Sequence, residues 1–193
     1  ARRILSSADI IINSAKEDRL SVIVSAVAGV SNNLQSAIDA CTTGIPYINY
    51  VEDLRKIHSD ICSELQSKCE GFNADKVMEK INPLFEELEK LLAGCVSFGE
   101  CPSTVHCRIM GMGELLSSPI MEAVLLAKGM SVILLDSRKF VFTTGNQLEG
   151  EADYAKCKEA CMPFRDGENK SQTRILLFSS FIYTWTNSVT KKE

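Results

Sequence analysis

A chain of 193 residues with 45% hydrophobic and 24% charged side chains can bury one ordinary core, which excludes a disordered, collagenous or small disulfide-held polypeptide. The net charge is −4, and the ten acids against six bases between Glu52 and Lys90 account for all of it, so a surface built for nucleic acid is not expected. The longest apolar-and-small run, Leu20 to Val30, is too short for a bilayer-crossing helix, and no cleavage site follows Arg2 and Arg3; no membrane partner, no export signal and a cytoplasmic location are expected.

The eight cysteines are Cys41, Cys62, Cys69, Cys95, Cys101, Cys107, Cys157 and Cys161, and none forms a C-x-x-C pair. Reduced thiols are the expectation, and the set Cys95, Cys101, His106 and Cys107 matches no zinc-site spacing.

Taken in chain order, Ile4, Leu5, Ala8, Ile11 and Ile12 recur at helical spacing and predict a helix over Arg2 to Ala15. Leu20 to Val27 is β-branched and predicts a buried strand. Ser31 and Asn32 are candidate caps for a helix through Cys41, stopped by Gly44. Two long amphipathic helices follow, one over Tyr47 to Leu65 and one carrying Val77, Ile81, Leu84, Phe85, Leu88, Leu91 and Leu92, with Asn73 as its N-cap. Pro83 interrupts the second, so a kink or two short helices are expected there. His58 falls beside the apolar stripe as a packing or surface residue.

Pro102 and Ser103 open a helix to Met110, and a further helix carries Ile120, Met121, Val124 and Leu125 before Gly129. Ser131 to Asp136, Lys139 to Thr143 and Arg174 to Phe178 read as strands, with a weak helix over Glu151 to Met162. Strands alternating with helices predict an α/β layer architecture with a mainly parallel sheet.

General chemical motifs are missing. The chain has no phosphate-loop signature, Gly111-x-Gly113 lacks a third glycine, and there is no G-x-S-x-G elbow. Two segments instead put small residues and hydroxyls at a strand end or helix start: Val24-Ser25-Ala26-Val27-Ala28-Gly29-Val30-Ser31-Asn32 and Gly111-Met112-Gly113-Glu114-Leu115-Leu116-Ser117. Together, in this order and with two long helices between them, they resemble the V-S-A-x-x-G-[VIL]-[ST]-N and G-E-x-x-S segments of the aspartate kinase domain of the amino-acid-kinase family. The arrangement is most like the kinase half of bifunctional aspartokinase-homoserine dehydrogenases. It covers most of residues 1 to about 150 and thins after Tyr154.

The resemblance implies a three-layer αβα sandwich of amino-acid-kinase (carbamate-kinase-like) type, here incomplete: one partial domain over 1–193 holding the amino-acid-binding half. It implies L-aspartate as the ligand, and phosphorylation of its side-chain carboxylate with ATP and Mg²⁺ in the lysine, threonine and methionine pathway. Implied substrate-binding residues are Ser25, Gly29, Ser31, Gly113, Glu114 and Ser117. Glu114 would pair with the substrate ammonium, Ser25 and Ser31 would donate hydroxyls, and Gly29 and Gly113 would allow close backbone approach. Each has a plainer reading beside it. Glu114 is also a first-turn helix acid, Ser31 an N-cap, and Ser117 either a support for Glu114 or a cap for a helix restarted at Pro119.

The chain lacks the family's Lys-Phe-Gly-Gly-Thr-Ser and Gly-Arg-x-Gly-Ser-Asp segments, and Met112 stands where many members have arginine. Since phosphoryl transfer onto an anion needs preorganised cations, these 193 residues alone are expected to hold neither ATP nor Mg²⁺ and to lack activity. A homo-oligomer is expected. The alternative is a non-catalytic interaction or dimerisation unit.

Overall fold

A computed structural model describes residues 1–145, 150–166, 175–179 and 184–185. The chain opens with α1 (Arg2–Ser14) and β1 (Leu20–Val24), then continues with α2 (Val30–Thr43), α3 (Ile48–Lys68) and α4 (Ala74–Phe98). It goes on through α5 (Ser103–Met110), α6 (Met112–Ala127), β2 (Val132–Leu135), a 3₁₀ turn at Ser137–Lys139, β3 (Phe142–Thr144) and β4 (Glu151–Ala152). The remaining described elements are α7 (Tyr154–Asp166), β5 (Ile175–Ser179) and β6 (Thr184–Trp185). The last apolar run is a strand as expected, while Arg174, with which that prediction opens, lies outside the described residues.

Two sheets form. In the larger, β5 sits between β1 and β2 and pairs in parallel with both, Val22 opposite Leu177 and Leu134 opposite Leu177. Parallel neighbours far apart in sequence require helical crossovers. The smaller sheet has order β4-β3-β6, antiparallel on the β4 side and parallel on the β6 side; of its strands the sequence predicts only β3, which begins at Phe142 rather than at Lys139, where the 3₁₀ turn ends.

One face of the parallel sheet packs on α1 and α6. Val22, Val24, Ile175 and Leu177 meet Ala8, Ile120, Val124 and Leu125 in one apolar cluster. On the far side of α6, the bundle of α2, α3 and α4 encloses a second cluster around Leu34, Leu54, Ile81, Phe85, Leu88 and Leu116. α6 therefore lies between sheet and bundle and is apolar all round, the pattern of a central helix. The stretch Ser103–Ala127 has the length and hydropathy to cross a membrane, but 72% of its most apolar window is buried inside the domain.

Prolines do not break the helices where the sequence suggests they should. α4 runs unbroken through Pro83, and Met112–Ala127 is a single helix through Pro119, so no helix restarts there. An interior proline removes one hydrogen bond and costs about 3 kcal/mol. Continuous burial on both sides, from Val77 to Leu92 in α4 and Met112 to Leu125 in α6, outweighs that cost. Asn73 caps α4 as expected, its Oδ1 accepting from the Lys76 amide at 2.9 Å. Ser31 and Asn32, by contrast, do not cap α2: the helix starts at Val30, two residues before a Ser31 cap would place it, after Gly29, whose φ of 85° is left-handed.

His58 is fully buried in α3. Its Nδ1 lies 2.7 Å from the Leu54 carbonyl, which can only accept, so Nδ1 carries the proton and Nε2 offers a lone pair with no partner among the described residues. Burial holds the imidazole below its ordinary pKa of 6.5, the backbone contact opposing weakly. A depressed histidine pKa means the unfolded chain binds the extra proton first. Stability contributed here is therefore full above about pH 6.5 and falls as pH drops below it, by at most about 1.4 kcal/mol per pH unit. His58→Leu is expected to flatten the stability profile between pH 7 and 5 in urea titrations at fixed pH steps; an unchanged acid slope refutes this assignment.

Candidate active site

The parallel sheet leaves a cleft of about 620 Å³ beside the carboxyl end of β1, where open α/β sheets place their ligands. Its walls are the start of α1 (Arg2, Arg3, Ser7), the strand end and loop from Val22 to Ala28, and Ser117 and Met121 of α6, with Ile61 and Glu64 of α3 completing the rim. β1 ends at Val24 rather than Val27, so Ser25 to Ala28 are loop, free to line the cleft.

Four of the six sequence-predicted residues converge. Gly113 of α6 lies against this loop so closely that a Cβ there would sit 2.8 Å from the Ala26 Cβ. One turn on, the Ser117 hydroxyl donates to the Ser25 carbonyl at 2.8 Å, with the Glu114 carbonyl at 3.2 Å as a second acceptor. Ser118 also bonds back, to the Glu114 carbonyl at 2.6 Å, the way serines near a proline occupy helix carbonyls.

Glu114 is 6% exposed. Burial raises its carboxyl pKa above the ordinary value, and the backbone N–H groups of Glu114 itself and of Ala26 pull it back. A buried carboxylate is a ready partner for a cation.

Gly29 and Ser31 are placed differently. Gly29 is the exposed left-handed residue before α2, with open space where a Cβ would be, and Ser31 is exposed in the first turn of α2. Neither lines the cleft, and nor do Gly113 and Glu114; of the six residues only Ser25 and Ser117 form part of its wall. Sequence reasoning passed over the start of α1, although Arg2 and Arg3 are a visible pair of cations at a helix N-terminus.

Among the described residues no three histidine, cysteine, aspartate or glutamate side chains converge as metal ligands. His106, one of the four residues weighed as a metal set, instead has Nε2 3.0 Å from the Gln35 Oε1. The cleft's two arginines, Arg2 and Arg3, are both exposed.

No protein-family model matches the chain. It is 25% identical over 183 residues to the bifunctional aspartokinase/homoserine dehydrogenase of Buchnera aphidicola subsp. Acyrthosiphon pisum, covering 94% of this chain and 22% of that protein. The protein of the same name from Haemophilus influenzae is 22% identical over 179 residues, 93% of this chain and 22% of its own length. Among solved structures, E. coli aspartokinase III in complex with aspartate and ADP superimposes with a TM-score of 0.78 at 21% identity, over 95% of this chain and 38% of that one. The fold is that of the aspartokinases. Clostridium acetobutylicum aspartate kinase matches at a TM-score of 0.64 and 16% identity, over 96% of this chain and 37% of its own. The chain thus carries an aspartokinase-type α/β fold with an incomplete sheet, and it spans about a fifth of the length of the curated relatives it matches.

Proposed function

We propose that this chain is the amino-acid-binding part of an aspartate kinase, and that its cleft at the end of β1 takes L-aspartate. The observation that carries the reading is the meeting of Ser25, Ser117 and the buried Glu114 at the carboxyl end of a parallel strand. The nucleophile of this reaction, the aspartate side-chain carboxylate, is already ionised at neutral pH, so the protein's task is to hold it rather than deprotonate it. Glu114 pairs with the α-ammonium, and the loop from Ser25 to Gly29 supplies amides and a hydroxyl. In the whole enzyme, ATP with Mg²⁺ supplies the transferred phosphoryl group, in the cytoplasmic pathway to lysine, threonine and methionine.

Titrating L-aspartate into the ¹⁵N-labelled chain is expected to shift the amides of Ser25 to Gly29 and Gly113 to Ser117, while no hydroxamate-trapped product forms with ATP and Mg²⁺. The absence of any such shifts at millimolar aspartate would refute the amino-acid site. Turnover well above the blank would refute the separation of binding from transfer. β1 is hydrogen-bonded on one side only among the described residues, and Ile23 is 70% exposed beside that edge. Such an edge invites pairing, so we also propose a homo-oligomer, to be read as concentration-dependent mass in light scattering; a constant monomer mass refutes it.

A further inference from the structure

The Ser117 hydroxyl does something that a ligand pocket does not require: it donates across the fold to the Ser25 carbonyl at 2.8 Å, and the amide of the same peptide, Ala26, helps to hold down the pKa of Glu114 one turn earlier in α6. The carbonyl of Ser25 and the N–H of Ala26 are the two ends of a single planar amide. Residues three apart on a helix share a face, so a Glu-x-x-Ser spacing presents an acceptor and a donor side by side. The absence of a side chain at Gly113 brings the Ala26 methyl within reach of the helix. Ninety-two residues separate Ser117 from Ser25, so this is a tertiary contact, made where β1 has ended and no ladder remains to orient the chain.

We propose that Ser117 clamps the Ser25–Ala26 peptide and is thereby a positioning residue that sets the path of the cleft-lining loop from Ser25 to Ala28. The clamp fixes one amide plane at the strand exit. With that plane fixed, the turn through Ala26 to Ala28 into the left-handed Gly29 and the first turn of α2 starts from one orientation. Its bearing on ligand affinity rests on the proposed amino-acid site; its existence does not.

The test uses the whole 193-residue chain as wild type, Ser117→Ala, the near-isosteric weak donor Ser117→Cys, and Ser117→Thr, which restores a hydroxyl. In the alanine and cysteine variants the Ser25 carbonyl carbon is expected to move upfield and the amides of Ala26 to Val30 to exchange about five- to tenfold faster, the factor that one ordinary hydrogen bond holds closed. Aspartate affinity is expected to fall by a similar factor in both, with threonine recovering most of each loss. If either folded loss-of-donor variant keeps the wild-type carbonyl shift and exchange rates, the clamp is refuted. Faster exchange with unchanged aspartate affinity refutes the positioning role and leaves only a structural bond. A wild-type chain that binds no aspartate overturns the amino-acid site instead, and the carbonyl shift and exchange then decide the clamp alone.

Discussion

Replacing Phe85 by alanine is expected to cost about 3–5 kcal/mol, the upper range for a buried aromatic truncated without collapse of the site. Phe85 is fully buried at the centre of the helical bundle and belongs to the cluster that joins α2, α3, α4 and α6. It also receives two ring contacts that alanine cannot make. His58 approaches edge-on with ring centroids 5.8 Å apart, and the Arg55 guanidinium lies 4.6 Å above its face while pairing with Glu89 at 2.9 Å. Neighbouring Leu54, Ile81 and Leu88 are held by their own helices and cannot close the gap. Since small domains are stable by only 5–15 kcal/mol, such a loss consumes a large part of the total. Urea unfolding of the variant should show the midpoint reduced in proportion with an unchanged slope. A loss under 1 kcal/mol would mean the bundle repacks freely around this position.

Glu114→Gln is expected to weaken L-aspartate binding by about 1.5 to 3 kcal/mol, roughly ten- to more than a hundredfold, as loss of a charge-assisted hydrogen bond to the ammonium requires. Stability should move the other way. Burial raises the Glu114 pKa, so the folded chain holds this proton more tightly than the unfolded chain does, and ionisation at neutral pH costs stability. That cost is absent at pH values below the ordinary 4.5 and grows as pH rises through the raised value; glutamine, neutral throughout, avoids it. The variant should therefore unfold at an equal or higher temperature at pH 7 while binding aspartate poorly, a combination that misfolding cannot imitate. The wild-type chain should lose aspartate affinity on acidification at a higher pH than an ordinary glutamate would require. Calorimetric titration at pH 7 and pH 5 checks both. Equal affinities for wild type and variant would remove Glu114 from the aspartate site.

The helices were legible because a 3.6-residue apolar stripe is a local property of the sequence: of the stripe residues, Val51, Leu54 and Leu65 in α3, and Val77, Ile81, Phe85, Leu88 and Leu92 in α4, are fully buried. The parallel sheet was legible from its short β-branched runs, and the site's two segments from their small residues beside a strand end and a helix start. Three things were settled only in three dimensions. Whether Pro83 and Pro119 stop a helix depends on how much burial lies beyond them, which no local pattern records. The β1 strand ends at Val24, opposite Ser179 of β5, three residues short of the end of the β-branched run, and no local pattern marks that limit. The grip of Ser117 on Ser25 depends on α6 lying across the strand exit, with Gly113 giving room for the approach. Sequence periodicity reports which face of an element is apolar. Where that element ends, and which peptide it touches, follow from the neighbours that the fold brings to it.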